Sequence, residues 1–305
     1  MTAIPRLLVL VGASFVVATH AMLAQTARFK TGVAAIRVDA LVTEGRRPVS
    51  GLTAANFELR DNGVLQQITD ISHEHLPLNI ICVLDLSGSV AGRPLEHLKD
   101  GVTAIVDALS DKDRAALVSF ANRLQLHSGL TGDRKVLRGL VEKLEAGGAT
   151  SVFDAAFAGL ALRERDEGRT LMLLLSDGQD TSSWLPARKT VRAAQRSDVV
   201  IYPVTLRVPR YGRSAQRTSG VESAMALLDA LADDTGGRIV YADSEEALRK
   251  IFTEVLAEFR QRYVLTYVPS GTTGPGWHAL EVKLKGRSGQ VRARRGYFAG
   301  VSEDY

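Results

Sequence analysis

The chain contains very little cysteine: Cys82 is the single one among 305 residues. One cysteine excludes a disulfide within the chain, so stability has to come from a packed core. Cys82 lies inside the apolar run 79–84, where a small buried side chain is the usual role of an unpaired cysteine. No cysteine stands near the N-terminus, which argues against a lipid-modified start of the mature chain.

Aromatic residues are also scarce, at 6%, and the formal net charge is only +4. The lysines and arginines are spread along the chain, and no stretch combines basic and aromatic residues as a nucleic-acid surface would. We therefore predict no nucleic-acid partner. The hydrophobic fraction of 45% and the charged fraction of 24% are ordinary for a globular protein with a core of its own.

No apolar run is long enough to span a bilayer comfortably. The candidate at the N-terminus has Arg6 before the apolar residues 7–18, and small residues follow at Ala21 and Ala24. This order is typical of a secretory signal. We predict a signal peptide over residues 1–24, cut after Ala21 or Ala24, with an uncleaved anchor as the alternative. The mature protein is then expected to be secreted or periplasmic, with no stable membrane span.

The sequence motifs of common catalytic sites are missing as well. Ser87 and Ser176 do not lie in the Gly-x-Ser-x-Gly elbow of hydrolases, and no Gly-x-x-x-x-Gly-Lys loop is present to hold a phosphate. Asp85-x-Ser87 lacks the second aspartate that a haloacid-dehalogenase-like phosphotransferase needs. We therefore predict that the protein is not an enzyme.

What the chain does have is a change of pattern along its length. In residues 25–77 apolar side chains alternate from Ile36 to Val42, and Asp61-Asn-Gly63 is a tight-turn signal between short strands. Residues 78–262 alternate continuous apolar runs with amphipathic helices, and residues 263–305 return to strands. The predicted strands of the two β-rich ends are 36–42, 57–60, 64–68, 264–268, 278–284 and 291–297.

The middle of the chain indicates the fold class. Continuous apolar strands separated by helices predict an α/β domain with a doubly wound, mainly parallel, Rossmann-like sheet. Neither β-rich end is long enough to form a core alone. We expect the segments 25–77 and 263–305 to pack together as a small β-rich domain in which the α/β domain is inserted. The predicted strands of the α/β domain are 80–84, 115–120, 171–175, 199–205 and 238–242.

Oxygen-bearing side chains follow two of these strands and open one helix. Asp85, Ser87 and Ser89 stand at alternate positions directly after the strand 80–84. Thr150 precedes the helix that starts near residue 152, and Asp177 follows the strand 171–175. In an open parallel sheet, loops at the carboxyl ends of the strands meet at one edge, where ligands bind. We therefore expect these five side chains to converge.

Carboxylate and hydroxyl oxygens suit a hard divalent cation, so the predicted cofactor is Mg²⁺, with Mn²⁺ or Ca²⁺ as alternatives. Zinc and copper prefer other ligands. Neutral hydroxyls dominate this set, so the ligands neutralise only part of the cation's positive charge. The cation can then accept a carboxylate from a partner. No base or nucleophile accompanies the set, so the pattern favours binding over chemistry.

Asp85-x-Ser87-x-Ser89, Thr150 and Asp177 resemble the metal-ion-dependent adhesion site of von Willebrand factor type A (VWA) domains. The resemblance covers roughly residues 78–260. The flanks 48–63 and 292–297 are similar to a group of secreted bacterial VWA-related proteins abundant in acidobacteria. The resemblance implies that the five residues bind Mg²⁺ and present it to an Asp or Glu of an extracytoplasmic protein.

Two neighbouring stretches could contribute to partner binding. Trp184 follows the Asp177 loop and is either exposed near the metal or packed beneath the loop. Arg210 and Arg213 belong to a basic loop that leaves the same sheet edge, and that loop either faces an acidic partner or is simply solvated. The predicted function is thus a secreted, adhesion-type, metal-dependent protein-binding module. The alternative is a structural or assembly protein of the cell envelope whose metal only stabilises the loops.

Overall fold

The computed structural model describes residues 35–73, 76–164, 166, 168–176, 179–206, 219–272 and 274–300. The predicted signal peptide, residues 1–24, lies outside these ranges. Among the helices of the described ranges, none is both long and apolar enough to cross a membrane.

A six-stranded sheet forms the centre of the α/β part. Its strands lie in the order β11-β10-β9-β6-β7-β8, and all neighbours are parallel except β7 and β8, which are antiparallel. The predicted mainly parallel α/β sheet is confirmed. The strands are β6 (Leu78–Asp85), β7 (Arg114–Phe120), β8 (Leu124–Thr131), β9 (Arg169–Leu175), β10 (Val200–Leu206) and β11 (Val240–Ala242).

Helices cover both faces of this sheet. One face holds α1 (Arg93–Asp107), α2 (Arg134–Glu142) and α6 (Leu248–Arg260), and the other holds α3 (Val152–Ala161), α4 (Ala187–Gln195) and α5 (Ser219–Thr235). All eight residues of β6 are buried, which explains why its sequence is a continuous apolar run and not an alternating one. The apolar stripe of α6 is also buried against the sheet.

The two chain ends form two further sheets that face each other. One sheet has the order β14-β1-β12-β5 with β2 beside β1, and the other has the order β15-β13-β3-β4. They enclose one apolar core. The strands are β1 (Ile36–Glu44), β2 (Arg47–Pro48), β3 (Phe57–Asp61), β4 (Val64–Gln66), β5 (Ile68–Ser72), β12 (Tyr263–Tyr267), β13 (Gly276–Leu284), β14 (Gln290–Ala293) and β15 (Gly296–Ala299).

Two of the predicted strands are each divided into two separate strands in the structure. The run 64–68 divides into β4 and β5, and the run 291–297 divides into β14 and β15, with the halves in different sheets. At the second division, the Arg294 guanidinium donates to the carbonyl of Gln195, and Arg295 pairs with Asp233 at 2.6 Å. These arginines fix the chain to the α/β part at the point where it changes sheet.

A buried ionic joint links the β-rich sheets to the α/β part. The Asp39 carboxylate of β1 lies 3.6 Å from Arg169 Nε of β9 and 3.9 Å from Arg262 Nε, between α6 and β12. The guanidinium groups of Arg169 and Arg262 are almost fully buried and also donate to backbone carbonyls. The burial of Arg169 lowers its pKa, and the charge of Asp39 opposes that change.

Candidate metal centre

The loop after β6 is folded around its own oxygen atoms. Asp85 ends the buried strand and is 1% exposed. Its Oδ1 accepts the Ser87 N–H at 2.9 Å, the turn that an Asp side chain commonly makes with the backbone two residues later. The hydroxyls of Ser87 and Ser89 lie 3.0 Å apart. One buried carboxylate and two hydroxyls therefore share a single short loop.

A second loop, 147–151, is hydrogen-bonded directly to the first. The Gly88 N–H donates to the carbonyl of Gly148 at 3.1 Å, and the Gly147 N–H donates to the carbonyl of Leu86 at 2.7 Å. Thr150, in this second loop, is 6% exposed. Asp85, Ser87, Ser89 and Thr150 thus belong to two loops that are joined at one edge of the sheet.

The loop after β9 fixes the backbone of Thr150. The Thr150 carbonyl accepts the N–H groups of Thr181 and Ser182 at 2.9 and 3.0 Å. In return, the Thr150 N–H donates to the Thr181 hydroxyl at 3.0 Å. Asp177 lies outside the described residues, but Ser176 before it and Thr181 after it are in the same loop.

The N-terminus of α3 is capped by that same loop. Asp180 Oδ1 accepts the Val152 N–H at 2.8 Å, and the Ser183 hydroxyl accepts the Phe153 N–H at 3.0 Å. A free helix N-terminus carries positive partial charge, which would oppose a nearby cation. Asp180 and Ser183 occupy two of these amides, so α3 can start beside a cation site at less electrostatic cost.

One contributor, Asn122, is missing from the sequence-based prediction. It lies in the turn between β7 and β8, and its Oδ1 accepts the Ala149 N–H at 2.7 Å. The side chain also fills the space where a Cβ on Gly148 would lie. Asn122 therefore supports the Thr150 loop from the side opposite to the β9 loop. The sequence pattern that could have indicated Asn122 is its position among turn residues directly after the apolar run 115–120.

Trp184 is fully presented to solvent while its backbone is fixed. Its side chain is 94% exposed. The Trp184 N–H donates to Asp154 Oδ2 at 3.0 Å, and the Leu185 N–H donates to Asp154 Oδ1 at 2.9 Å. Trp184 is therefore exposed and not packed beneath the loop, and its part in partner binding stays a prediction. The other predicted partner-binding residues, Arg210 and Arg213, lie outside the described residues.

A serine–histidine pair lies close to this edge of the sheet. Ser119 Oγ is 2.7 Å from His127 Nε2, and burial lowers the pKa of His127. Ser119 is only 5% exposed. Within the described ranges no carboxylate hydrogen-bonds to the His127 ring. The described residues therefore do not form a Ser-His-Asp triad around Ser119.

The described candidate ligands offer only oxygen atoms, and this donor set fits a hard divalent cation. Among the described residues, no group of three or more His, Cys, Asp or Glu side chains could hold a metal. The candidate ligands that the structure describes at this edge are the hydroxyls of Ser87, Ser89 and Thr150 and the buried carboxylate of Asp85. That chemistry favours Mg²⁺, Mn²⁺ or Ca²⁺.

The family model for the von Willebrand factor type A domain matches residues 79–254, which is more than half of the chain. The chain belongs to the VWA domain family. The matched residues contain β6 to α6 up to Glu254, so the VWA domain is the α/β part that carries the candidate metal centre.

Curated relatives match part of this chain at low identity. Inter-alpha-trypsin inhibitor heavy chain H4 from Bos taurus is 26% identical over 221 residues, which are 67% of this chain and 22% of that protein. An uncharacterised protein of Synechocystis, sll0103, is 30% identical over 118 residues, which are 36% of this chain and 27% of that protein. The chain thus spans less than a third of either relative.

Solved structures show the same fold. A von Willebrand factor type A protein from Catenulispora acidiphila superposes with a TM-score of 0.51 at 14% identity, covering 87% of this chain and 76% of that one. Proximal thread matrix protein 1 from the mussel byssus, with zinc in its metal-ion-dependent adhesion site, gives 0.51 at 20% identity, covering 64% and 48%.

Proposed function

We propose that the protein is a secreted or periplasmic, non-enzymatic VWA module that binds a partner protein through a divalent cation. Mg²⁺ is the proposed cation. It would be held by Asp85, Ser87, Ser89, Thr150 and Asp177, and when bound it supplies an electropositive centre that attracts a carboxylate. The proposed partner is an extracytoplasmic protein that offers Asp or Glu.

The observation that carries this proposal is the joining of the Asp85 loop to the Thr150 loop by two backbone hydrogen bonds, at 3.1 and 2.7 Å. These bonds bring a buried carboxylate and three hydroxyl side chains to one edge. The described part of the set carries one negative charge against the two positive charges of the ion. An Asp or Glu from a partner complements that excess, as charge complementarity favours.

Trp184 supports the proposal that this part of the surface binds a partner protein. An exposed Trp on a fixed backbone is a suitable hot-spot residue, because Trp offers a large contact area and loses the freedom of only two side-chain torsions when it is covered. Arg210 and Arg213 are proposed to add positive charge for an acidic partner surface. Trp184→Ala should weaken partner capture without changing the affinity for Mg²⁺, because its side chain is 94% exposed.

Removal of the metal or of its ligands tests the proposal. We expect Asp85→Ala and Thr150→Ala to lower the affinity for Mg²⁺ at least about tenfold, since each removes a proposed ligand, while circular dichroism stays unchanged. Isothermal titration calorimetry measures the affinity, and capture of partners from an envelope extract is compared with and without chelator. Asp111→Ala, which removes an exposed carboxylate, is the matched control.

The second candidate is a structural protein of the cell envelope in which the metal only stabilises the loops. It is favoured by the many hydrogen bonds that already join the three loops. Scanning calorimetry separates the two candidates. If Mg²⁺ raises the Tm but chelator leaves partner capture unchanged, the proposed metal-dependent binding of a partner is wrong and the structural role is supported.

A further inference from the structure

The edge of the VWA sheet next to the candidate metal centre ends at β8. Within the part of the chain that the structure describes, β8 is the outermost strand and pairs with β7 alone. Apart from that pairing, no backbone hydrogen bond among the described residues reaches Leu124, Gln125 or Leu126. An edge strand presents a row of N–H and C=O groups that an extended chain can pair with.

The side chains of this edge are apolar on one face. Leu124 lies opposite Phe120 and Leu126 lies opposite Val118, so the two leucines share one face of the sheet. Phe120 is part of the core beneath α3 to α5, whereas Leu124 and Leu126 are 44% and 56% exposed. Their spacing of two residues matches alternate side chains of an added strand.

The regular part of the edge is short and begins at the metal loops. The register with β7 is one to one from Leu124 to Leu126 and shifts between Leu126 and Ser128, as at a β-bulge. The turn before Leu124 is bonded to the Thr150 loop: the Ala149 N–H donates to Asn122, and the Ser151 hydroxyl donates to the Ala121 carbonyl at 3.4 Å. The edge is therefore continuous with the candidate centre.

The charge beside this edge favours an acidic occupant. Arg123 is exposed in the turn between Asn122 and Leu124, and it forms no ion pair with any residue that the structure describes. A divalent cation at the neighbouring loops would add positive charge on the same side. A segment carrying a carboxylate is attracted to such a site, whereas a basic segment is repelled.

We propose that the partner binds as an extended segment that adds a strand to β8, with an Asp or Glu at the metal and apolar side chains over Leu124 and Leu126. This inference rests on the proposed function, because the metal anchors one end of the segment. The backbone pairing supplies affinity, and the spacing between the carboxylate and the alternating apolar residues supplies specificity.

The test uses a display library of random twelve-residue peptides, selected on the full chain in the presence of Mg²⁺. We expect the selected peptides to combine Asp or Glu with apolar residues at alternate positions. Leu126→Lys and Leu124→Lys should each weaken their binding at least about tenfold, because an edge lysine opposes strand addition. Val136→Lys, on α2 and 49% exposed, is the matched control and should bind normally.

Two further changes separate backbone pairing from side-chain contact and charge. Methylation of alternate peptide N–H groups should weaken binding at least about tenfold, because it removes ladder donors and keeps every side chain. Arg123→Glu should weaken binding, while Arg46→Glu, in the turn between β1 and β2, should not.

The outcomes distinguish the two proposals. One result is that selected peptides require Mg²⁺ and yet bind the Leu126→Lys and Leu124→Lys variants as tightly as the unchanged protein. That result would overturn the strand addition and leave the proposed metal-dependent binding intact. Peptides that need Leu126 but bind equally in chelator support the edge and overturn the metal's role. A dimer in sedimentation that Leu126→Lys abolishes would assign the edge to a second copy and overturn the partner segment, as would a library that yields no binder.

Discussion

Gly148 occupies a backbone position in the Thr150 loop that a residue with a side chain could not adopt without strain. Its φ is +103°, in the region that L-residues rarely adopt, and an added Cβ would lie 2.6 Å from the Asn122 side-chain carbon Cγ. The Gly148 carbonyl accepts the Gly88 N–H, which is one of the two backbone bonds that join the Asp85 loop to the Thr150 loop. Gly148 therefore contributes one of the two bonds that bring the candidate ligands together.

Gly148→Ala should therefore disturb the candidate centre more than the rest of the fold. We expect a loss of about 1–3 kcal/mol in the free energy of unfolding, from backbone strain and the clash with Asn122, together with a weaker affinity for Mg²⁺. Urea denaturation and titration calorimetry measure the two effects. Gly129→Ala is the control, because its added Cβ meets no atom within 4 Å; equal effects from both variants would contradict the assignment to Gly148.

The candidate ligands can be predicted from the sequence more easily than the residues that support them. Asp85, Ser87 and Ser89 follow a strand directly, so the strand pattern alone places them at the sheet edge. Asn122 is a single amide in a turn, and its role depends on which loop lies beside that turn. Only folding brings Ala149 to within 2.7 Å of it.

At the scale of elements, the structure differs from the sequence-based assignment in two strands that were missed, the two-residue β2 and β8, and in two runs that divide. β8 was not predicted, because its side chains are largely exposed and it has no continuous apolar run. The runs 64–68 and 291–297 each continue through a change of sheet. Periodicity reports which side chains face a core, but it does not report which neighbouring strand supplies the hydrogen bonds.

The ionic joint between β1, β9 and the end of α6 is expected to be essential for stability. Asp39→Ala leaves the buried guanidinium groups of Arg169 and Arg262 without their counter-charge, which typically costs about 3–5 kcal/mol. Chemical denaturation measures the loss. Glu254→Ala removes an exposed i,i+4 pair with Lys250 and should change stability by about 0.5 kcal/mol or less. A similar small loss for Asp39→Ala would show that the joint is not needed.

At the scale of the whole molecule, carboxyl groups paired with arginine hold several elements together. Burial raises the pKa of each of these carboxyls, but hydrogen bonds outweigh burial, together with the guanidinium charge at Asp198 and Glu258, so each pKa is lowered overall. At Asp113 the N–H groups of Ser110 and Leu78 contribute to this lowering. The pairs are Asp113 with Arg260, Asp198 with Arg163, and Glu258 with Arg238.

These lowered pKa values predict how stability depends on pH. A carboxyl whose pKa is lower in the folded state stabilises the fold fully above its ordinary pKa, 3.8 for Asp and 4.5 for Glu, and the contribution is lost as the pH falls through the folded-state pKa. We expect the Tm to decrease between about pH 5 and about pH 3. Asp113→Asn should reduce this slope, whereas Asp111→Asn, an exposed control, should not; identical slopes would refute the assignment.

The sequence alone determined the α/β class, the β-rich ends and the residue types of the candidate centre, because burial between two helix layers imposes continuous apolar strands and oxygen side chains follow them directly. Tertiary structure alone decided three further features: the division of two runs between sheets, the edge position of β8, and the loop contacts around Thr150. These depend on hydrogen bonds between residues far apart in the chain, which no local pattern records.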